Sequence, residues 1–206
     1  MFTKLTTLLC LIFAGGAWLT ATAAENQQNI LYPFSYSPEL EEVIATIRHL
    51  PEARYLLEKI RREGRLGIYT NGDNHISRQF GACWDPVNRR MFVDQANRSS
   101  RGTLIGSIVF ELHNALLSSV FNYYDALAAR GDIEEDDYVR SIEYLEYQNS
   151  LNASKLVRKG VEQSLFPSDA HLPIYASFEE YYYFQQLGGH SARIAENYRQ
   201  LAPTHR

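Results

Sequence analysis

Apolar positions recur at helical spacing early in the chain. Leu40, Val43, Ile44 and Ile47 fall on one face behind Ser37-Pro38, which predicts a helix capped by Ser37 and closed near His49. Pro51 restarts the chain as a second helix carrying Tyr55, Leu56 and Ile60, stopped near Gly64. Residues 26–34, polar and then Pro-containing, predict an extended arm. From 65 to 94 the punctuation becomes denser. Apolar runs over 66–70, 76–84 and 91–94 are separated by Asn71-Gly72-Asp73 and by Asp85-Pro86-Val87-Asn88, the pattern of a small antiparallel sheet.

Three helices are predicted after the sheet. The first, over 103–129, is apolar on nearly every side (Leu104, Ile105, Ile108, Val109, Leu112, Leu116, Leu117, Val120, Phe121), as a central core helix must be. Asp132 with Glu135 forms a capping box for the second, which carries Tyr138, Ile142, Leu145 and Asn149 and runs to about Gly160. Ser177 with Glu180 repeats that signature for a tyrosine-rich third, stopped by Gly188-Gly189. The fold class expected is α+β, mostly helical with a small antiparallel sheet. No linker divides residues 25–206, so one domain is expected there.

Composition narrows the setting. The 206 residues are 45% hydrophobic and 21% charged, which suits a globular chain, and a net charge of -4 gives no pull toward nucleic acid or anionic lipid. Residues 1–24 have the form of a secretory signal: Lys4, an apolar stretch over 5–18 shorter than a bilayer span, and Ala21-Thr22-Ala23-Ala24 for cleavage. Cys10 falls within it without the small-residue pattern of a lipidated cysteine. The mature chain then has Cys83 alone, forms no internal disulfide, and is expected in a periplasm or outside the cell.

The core helix contains Val109-Phe110-Glu111-Leu112-His113-Asn114-Ala115, and polar groups inside a buried helix need a reason. The segment resembles the active-site helix of zincin-type metallopeptidases, His-Glu-x-x-His. The resemblance implies a zincin-like scaffold in which Phe110 and Asn114 replace the two zinc histidines and Glu111 keeps the place of the general base. Zincin chemistry needs imidazoles at i and i+4 because those positions share a helix face. His113 lies two residues from Glu111, about 200° around the helix, and does not restore the site. Glu111 and Asn114, three apart, share a face. Trp84-Asp85-Pro86 and Met91-Phe92-Val93-Asp94 resemble the sheet leading into a zincin helix, and Glu143, in Glu143-x-x-Glu146, stands as candidate for the third ligand on a following helix.

Other constellations compete. Phe80-Gly81-Ala82-Cys83-Trp84 resembles the nucleophile segment of papain-like cysteine peptidases, but Asp85-Pro86 turns the chain where those enzymes open a helix, which favours a strand cysteine. His75, His171 and His190 read as hydrogen-bonding polar groups, and the acids over 132–137 as a solvated helix start. Phe178, Tyr181, Tyr182 and Tyr183 put more rings on one helix than one core face can take, so either Tyr181 or Tyr183 should be buried and the other exposed.

The leading expectation is an exported, non-catalytic binding protein on a degenerate zincin-like scaffold, such as an inhibitor or immunity protein. It has a protein partner met through the aromatic helix, no nucleic acid, no membrane span after cleavage, and no cofactor. The alternatives are a metallohydrolase with atypical ligands around Glu111 (candidates Glu111, Asn114 and Glu143) and a cysteine hydrolase using Cys83.

Overall fold

The computed structural model describes residues 31–70, 81–94 and 100–203. Strand β1 (Phe34–Tyr36) leads through a 3-10 turn (Pro38–Leu40) into α1 (Glu41–His49) and α2 (Pro51–Glu63). β2 (Leu66–Thr70), β3 (Ala82–Asp85) and β4 (Arg90–Val93) follow. Then come α3 (Arg101–Leu116), α4 (Ser118–Arg130), α5 (Glu135–Glu162), α6 (Phe178–Leu187) and α7 (His190–Leu201). The α+β class stands, predominantly helical with one small sheet.

The sheet is mixed rather than antiparallel. Its order is β1-β2-β4-β3, with β1 and β4 parallel to β2 and only β3 and β4 antiparallel. Parallel neighbours need a crossover, and α1 with α2 supplies the one between β1 and β2. The expected extended arm hides β1 because three residues, Phe34-Ser35-Tyr36, carry no period of their own. The β3–β4 hairpin is closed as its sequence implied, with both Val87 and Asn88 amides donating to Asp85 Oδ1. The turn at 71–73, His75, and the first part of the strand expected over 76–84 lie outside the described residues, as does the segment 1–24.

Helix α3 is the central core element. Ile105, Ile108, Val109, Leu112 and Ala115 are buried against Ile44, Ile47 and Ile60 of the first two helices, Ile68 and Met91 of the sheet, and Ala153 and Val157 of α5. The single helix expected over 103–129 is in fact two, α3 and α4, bent by 60°. At the break, Ser118 Oγ donates to the Ala115 carbonyl and accepts from the Trp84 indole Nε1 at 2.8 Å. A contact from β3 thus fixes a corner that apolar periodicity alone reads straight through. A second, smaller core joins α4, α5 and α7 around Ala128, Tyr138, Val139 and Ile142. Among the described residues no single helix is long and apolar enough to cross a membrane.

Two capping expectations change. Asp132 does not cap α5, which starts at Glu135, and instead accepts from Arg130 Nε at 2.6 Å. Ser37 Oγ accepts from the Thr70 amide on β2 rather than from its own helix. Ser177 does cap α6, accepting from the Glu180 amide. Gly188-Gly189 ends α6 as expected and also opens α7, which the sequence reading missed. Gly189 sits at φ 80°, a conformation glycine adopts without penalty, and it turns His190 inward as the first residue of the new helix.

Candidate metal centre

The charged groups buried at the helical end of the core come from three helices, α3, α5 and α7, and a fourth, α6, adds a tyrosine hydroxyl. On α5, Glu143 and Glu146 share a face by their three-residue spacing; the Glu143 side chain is 0% exposed and that of Glu146 only 15%. His190 on α7 reaches between them, with Nδ1 3.1 Å from Glu143 Oε1 and Nε2 3.5 Å from Glu146 Oε2. One ligand atom from each of these three residues lies within 4.8 Å of the others. Ser191 Oγ donates to Glu143 Oε1 at 2.6 Å, and the Tyr181 hydroxyl on α6 donates to Glu146 Oε2 at 3.5 Å. Glu143 Oε2 is buried and has no hydrogen-bond partner among the described residues.

Glu111 of α3 stands beside this group, within reach of the charges of Glu146, His190 and Arg193. Its orientation is fixed by a buried chain: Asn149 Nδ2 donates to Asn114 Oδ1 at 2.8 Å, and Asn114 Nδ2 donates to Glu111 Oε2 at 3.1 Å. Asn114 therefore positions the carboxylate from the place that the zincin resemblance assigns to a histidine.

Three carboxylates withdrawn from water around one imidazole leave the site rich in negative charge. Burial, and then the charge of Glu146, push the Glu111 carboxyl up to about 8. Burial also raises Glu146, with His190 opposing and Glu143 adding to the rise. Burial pulls His190 down, but Glu146 and Glu143 outweigh it and carry the imidazole up to about 9. The site therefore holds a proton on His190, and an imidazolium cation occupies the space between two carboxylates. Burial also raises Tyr181, keeping its hydroxyl a donor to Glu146.

Glu111, Glu146 and His190 face a cleft of about 660 Å³, behind which Glu143 is buried. Trp84, Phe110, Phe121 and Ile194 form apolar wall, and Glu111, Glu146 and His190 supply polar wall. Phe110 is thus part of the cleft's lining and also packs on the main core. His113 stands half-buried away from these residues, its Nε2 without a partner among the described residues, and burial pulls its imidazole down to about 4 so that it stays neutral.

Of the three metal candidates named from the sequence, only Glu143 is in the triad; Glu111 and Asn114 bond to each other at its side. The sequence reading missed Glu146 as a ligand and placed His190 among ordinary polar groups, whereas its side chain is only 18% exposed. A signal for the first existed: Glu143, Glu146, Asn149 and Ser150 make a polar stripe at helical spacing on the face that also carries Ile142 and Tyr147. Cys83 is half-buried in β3 and lines the same cleft, but it opens no helix, and both ring nitrogens of His190 face carboxylates. On α6, Tyr181 is 4% exposed and Tyr183 57%; Phe178 and Tyr182 stack on each other beneath the Arg140 guanidinium.

The chain matches no protein-family model, no curated protein and no solved structure. The likeness to zincins accordingly rests on the Val109 to Ala115 segment and its surroundings, and what the fold itself contributes is an atypical Glu/His cluster able to hold a metal ion.

Proposed function

We propose that this chain is a hydrolase dependent on a divalent cation held by Glu143, Glu146 and His190, with Glu111 as its general base. The observation that carries the reading is the convergence of one ligand atom from each of those three residues within 4.8 Å, at a glutamate, Glu143, whose buried Oε2 has no hydrogen-bond partner among the described residues. A buried oxygen left without a partner is costly, and a coordinated cation relieves it. Two carboxylates and one imidazole suit a first-row ion such as Zn²⁺ or Mn²⁺ better than the all-oxygen shells of Ca²⁺ or Mg²⁺.

A cation held by Glu143, Glu146 and His190 would supply Lewis-acid polarisation of a substrate carbonyl and of a water molecule. Glu111, fixed by Asn114 and Asn149, takes a proton from the water as its oxygen adds to the carbonyl carbon. It then returns that proton to the leaving nitrogen as the C–N bond breaks, giving a carboxylic acid and an amine. Burial and Glu146 hold the Glu111 carboxyl up to about 8 in the metal-free chain; a divalent cation beside it would favour the carboxylate, the form that accepts the proton of water. The exported location belongs to the same proposal and rests on the sequence of residues 1–24.

The test uses full-length protein stripped with a chelator, then given Zn²⁺ or Mn²⁺ and a mixture of peptides, with new termini read by mass spectrometry. Cleavage that needs the cation and is lost in Glu111→Gln is the expected result, and no cation-dependent cleavage refutes the hydrolase reading. The binding-protein reading retains one observation in its favour: Tyr183, Phe184 and Leu187 are exposed together on α6.

A further inference from the structure

The cleft has a second polar pole, separate from the Glu/His cluster. Asp125 of α4 lines it, in a wall shared with Phe121, Ile142 and Ile194. The carboxylate is held in place: the Tyr138 hydroxyl donates to its Oδ1 at 2.6 Å, and Asn197 Nδ2 donates to the Tyr138 oxygen at 2.8 Å. Tyr138 is itself buried, so this support is rigid. Asp125 forms no ion pair among the described residues, and its hydrogen bond from Tyr138 uses one oxygen only. The charges of Arg193 and His190, the basic groups of the cleft, bear on Glu111 and Glu146. On Asp125 burial acts first, raising its carboxyl, and the Tyr138 hydrogen bond opposes it.

A carboxylate held through one oxygen, beside Phe121 and Ile194 and the polar Asn197 and Gln200, with no ion pair among the described residues, can receive a cation from outside. The geometry points to Asp125 as a specificity subsite that binds the basic side chain, lysine or arginine, of a peptide substrate whose apolar neighbour packs against Phe121 and Ile194. This assignment deepens the hydrolase reading and rests on it for the word substrate, since the peptide bond to be cut must reach Glu111 from the same cleft. The subsite itself binds its cation whether or not a metal is present. The apolar stem of the basic side chain suits the wall, and its charged end replaces lost water with a charge-assisted hydrogen bond to Asp125.

The experiment is calorimetric titration of the full chain, without metal, by acetyl-Phe-Lys-amide and by the neutral acetyl-Phe-norleucine-amide, which keeps the four-carbon stem and lacks the ammonium group. The lysine ligand is expected to bind about tenfold tighter, the scale of one buried charge-assisted hydrogen bond. That preference should vanish in Asp125→Asn, which keeps an acceptor for Tyr138, and should survive Glu146→Gln. Equal affinity for the two ligands overturns the assignment on the unaltered protein, with no variant needed. A preference that persists in Asp125→Asn but is lost in Glu146→Gln places the cation at the other pole and also overturns it. A third ligand, Phe-norleucine-amide with a free amino terminus, distinguishes the source of the charge: binding as tight as that of the lysine peptide overturns the side-chain assignment. Because every arm is read without metal, failure here is distinguishable from failure of the cation site.

Discussion

Glu111→Gln should make the metal-free protein more stable at neutral pH, and by an amount that depends on pH in a defined way. The native Glu111 carboxyl is held up to about 8 by burial and by Glu146, against an ordinary value of 4.5. Between those values the unfolded chain has released the proton that the native state still holds, so the native state binds more protons and stability falls as pH rises. Each pH unit of that window is worth about 1.4 kcal/mol, so the penalty relative to glutamine grows from nearly nothing at pH 4.5 to about 3 kcal/mol at pH 7 and about 5 kcal/mol above pH 8. Glutamine resembles the protonated acid, and its side-chain carbonyl still accepts the bond that Asn114 Nδ2 now gives to Oε2. Urea unfolding of both proteins, followed by circular dichroism from pH 4.5 to 8.5, measures the difference directly. His190 adds its own decline in both proteins, because its stabilising charge is fully present below 6.5 and is lost as pH rises through about 9. The difference between the two curves therefore isolates Glu111. Parallel curves would refute the account, since they mean that Glu111 is not kept protonated by its surroundings.

On α6, Tyr181→Ala should cost about 3 to 5 kcal/mol of stability by emptying a buried site beside Tyr147 and Tyr175, while Tyr183→Ala should change stability by less than about 0.5 kcal/mol; thermal unfolding of the two variants checks the contrast. Gly106 of α3 lets the backbone of the following segment lie on the helix: an added Cβ would meet the His171 carbonyl oxygen at 2.7 Å. Gly106→Ala should accordingly destabilise the protein by about 1 to 3 kcal/mol and shift Leu172 and Pro173 at the rim of the cleft, read as a lower urea midpoint. Ser118→Ala should cost about 1 to 3 kcal/mol by leaving the Trp84 indole N–H without its acceptor, with a change in tryptophan fluorescence as the second readout.

How far the sequence could be read differs between its local and its distant features. The second helix and the aromatic helix were legible with their ends, because Pro51, Gly64, Ser177 and Gly188 are local punctuation acting on local geometry. The corner at Leu117 was not, since the run from Leu116 to Val120 stays compatible with helix and the bend is fixed by Trp84, more than thirty residues away. Glu143 entered as a candidate through the zincin resemblance, which puts a third ligand on a helix after the core helix, and it does lie in the Glu/His cluster. His190 was not, because only the path of residues 163–189 brings it back onto α5, and the glycine pair before it reads as a stop in one dimension although it is also a start. The zincin resemblance directed attention to Phe110, Glu111 and Asn114 on the core helix and gave no view of a cluster that uses Glu146 and His190 of later helices.

The central claim is that Glu143, Glu146 and His190 hold one divalent cation. Titration of chelator-stripped protein with Zn²⁺ at pH 7.5, with bound metal counted after dialysis, tests it most directly. The account predicts one equivalent retained, tightening as pH rises from 6 to 9 because the ion must displace the proton that the carboxylates hold on His190. It also predicts that the equivalent is lost in both Glu143→Gln and His190→Ala while each variant keeps its native circular dichroism. No retained zinc or manganese, or an equivalent that survives both substitutions, would contradict it.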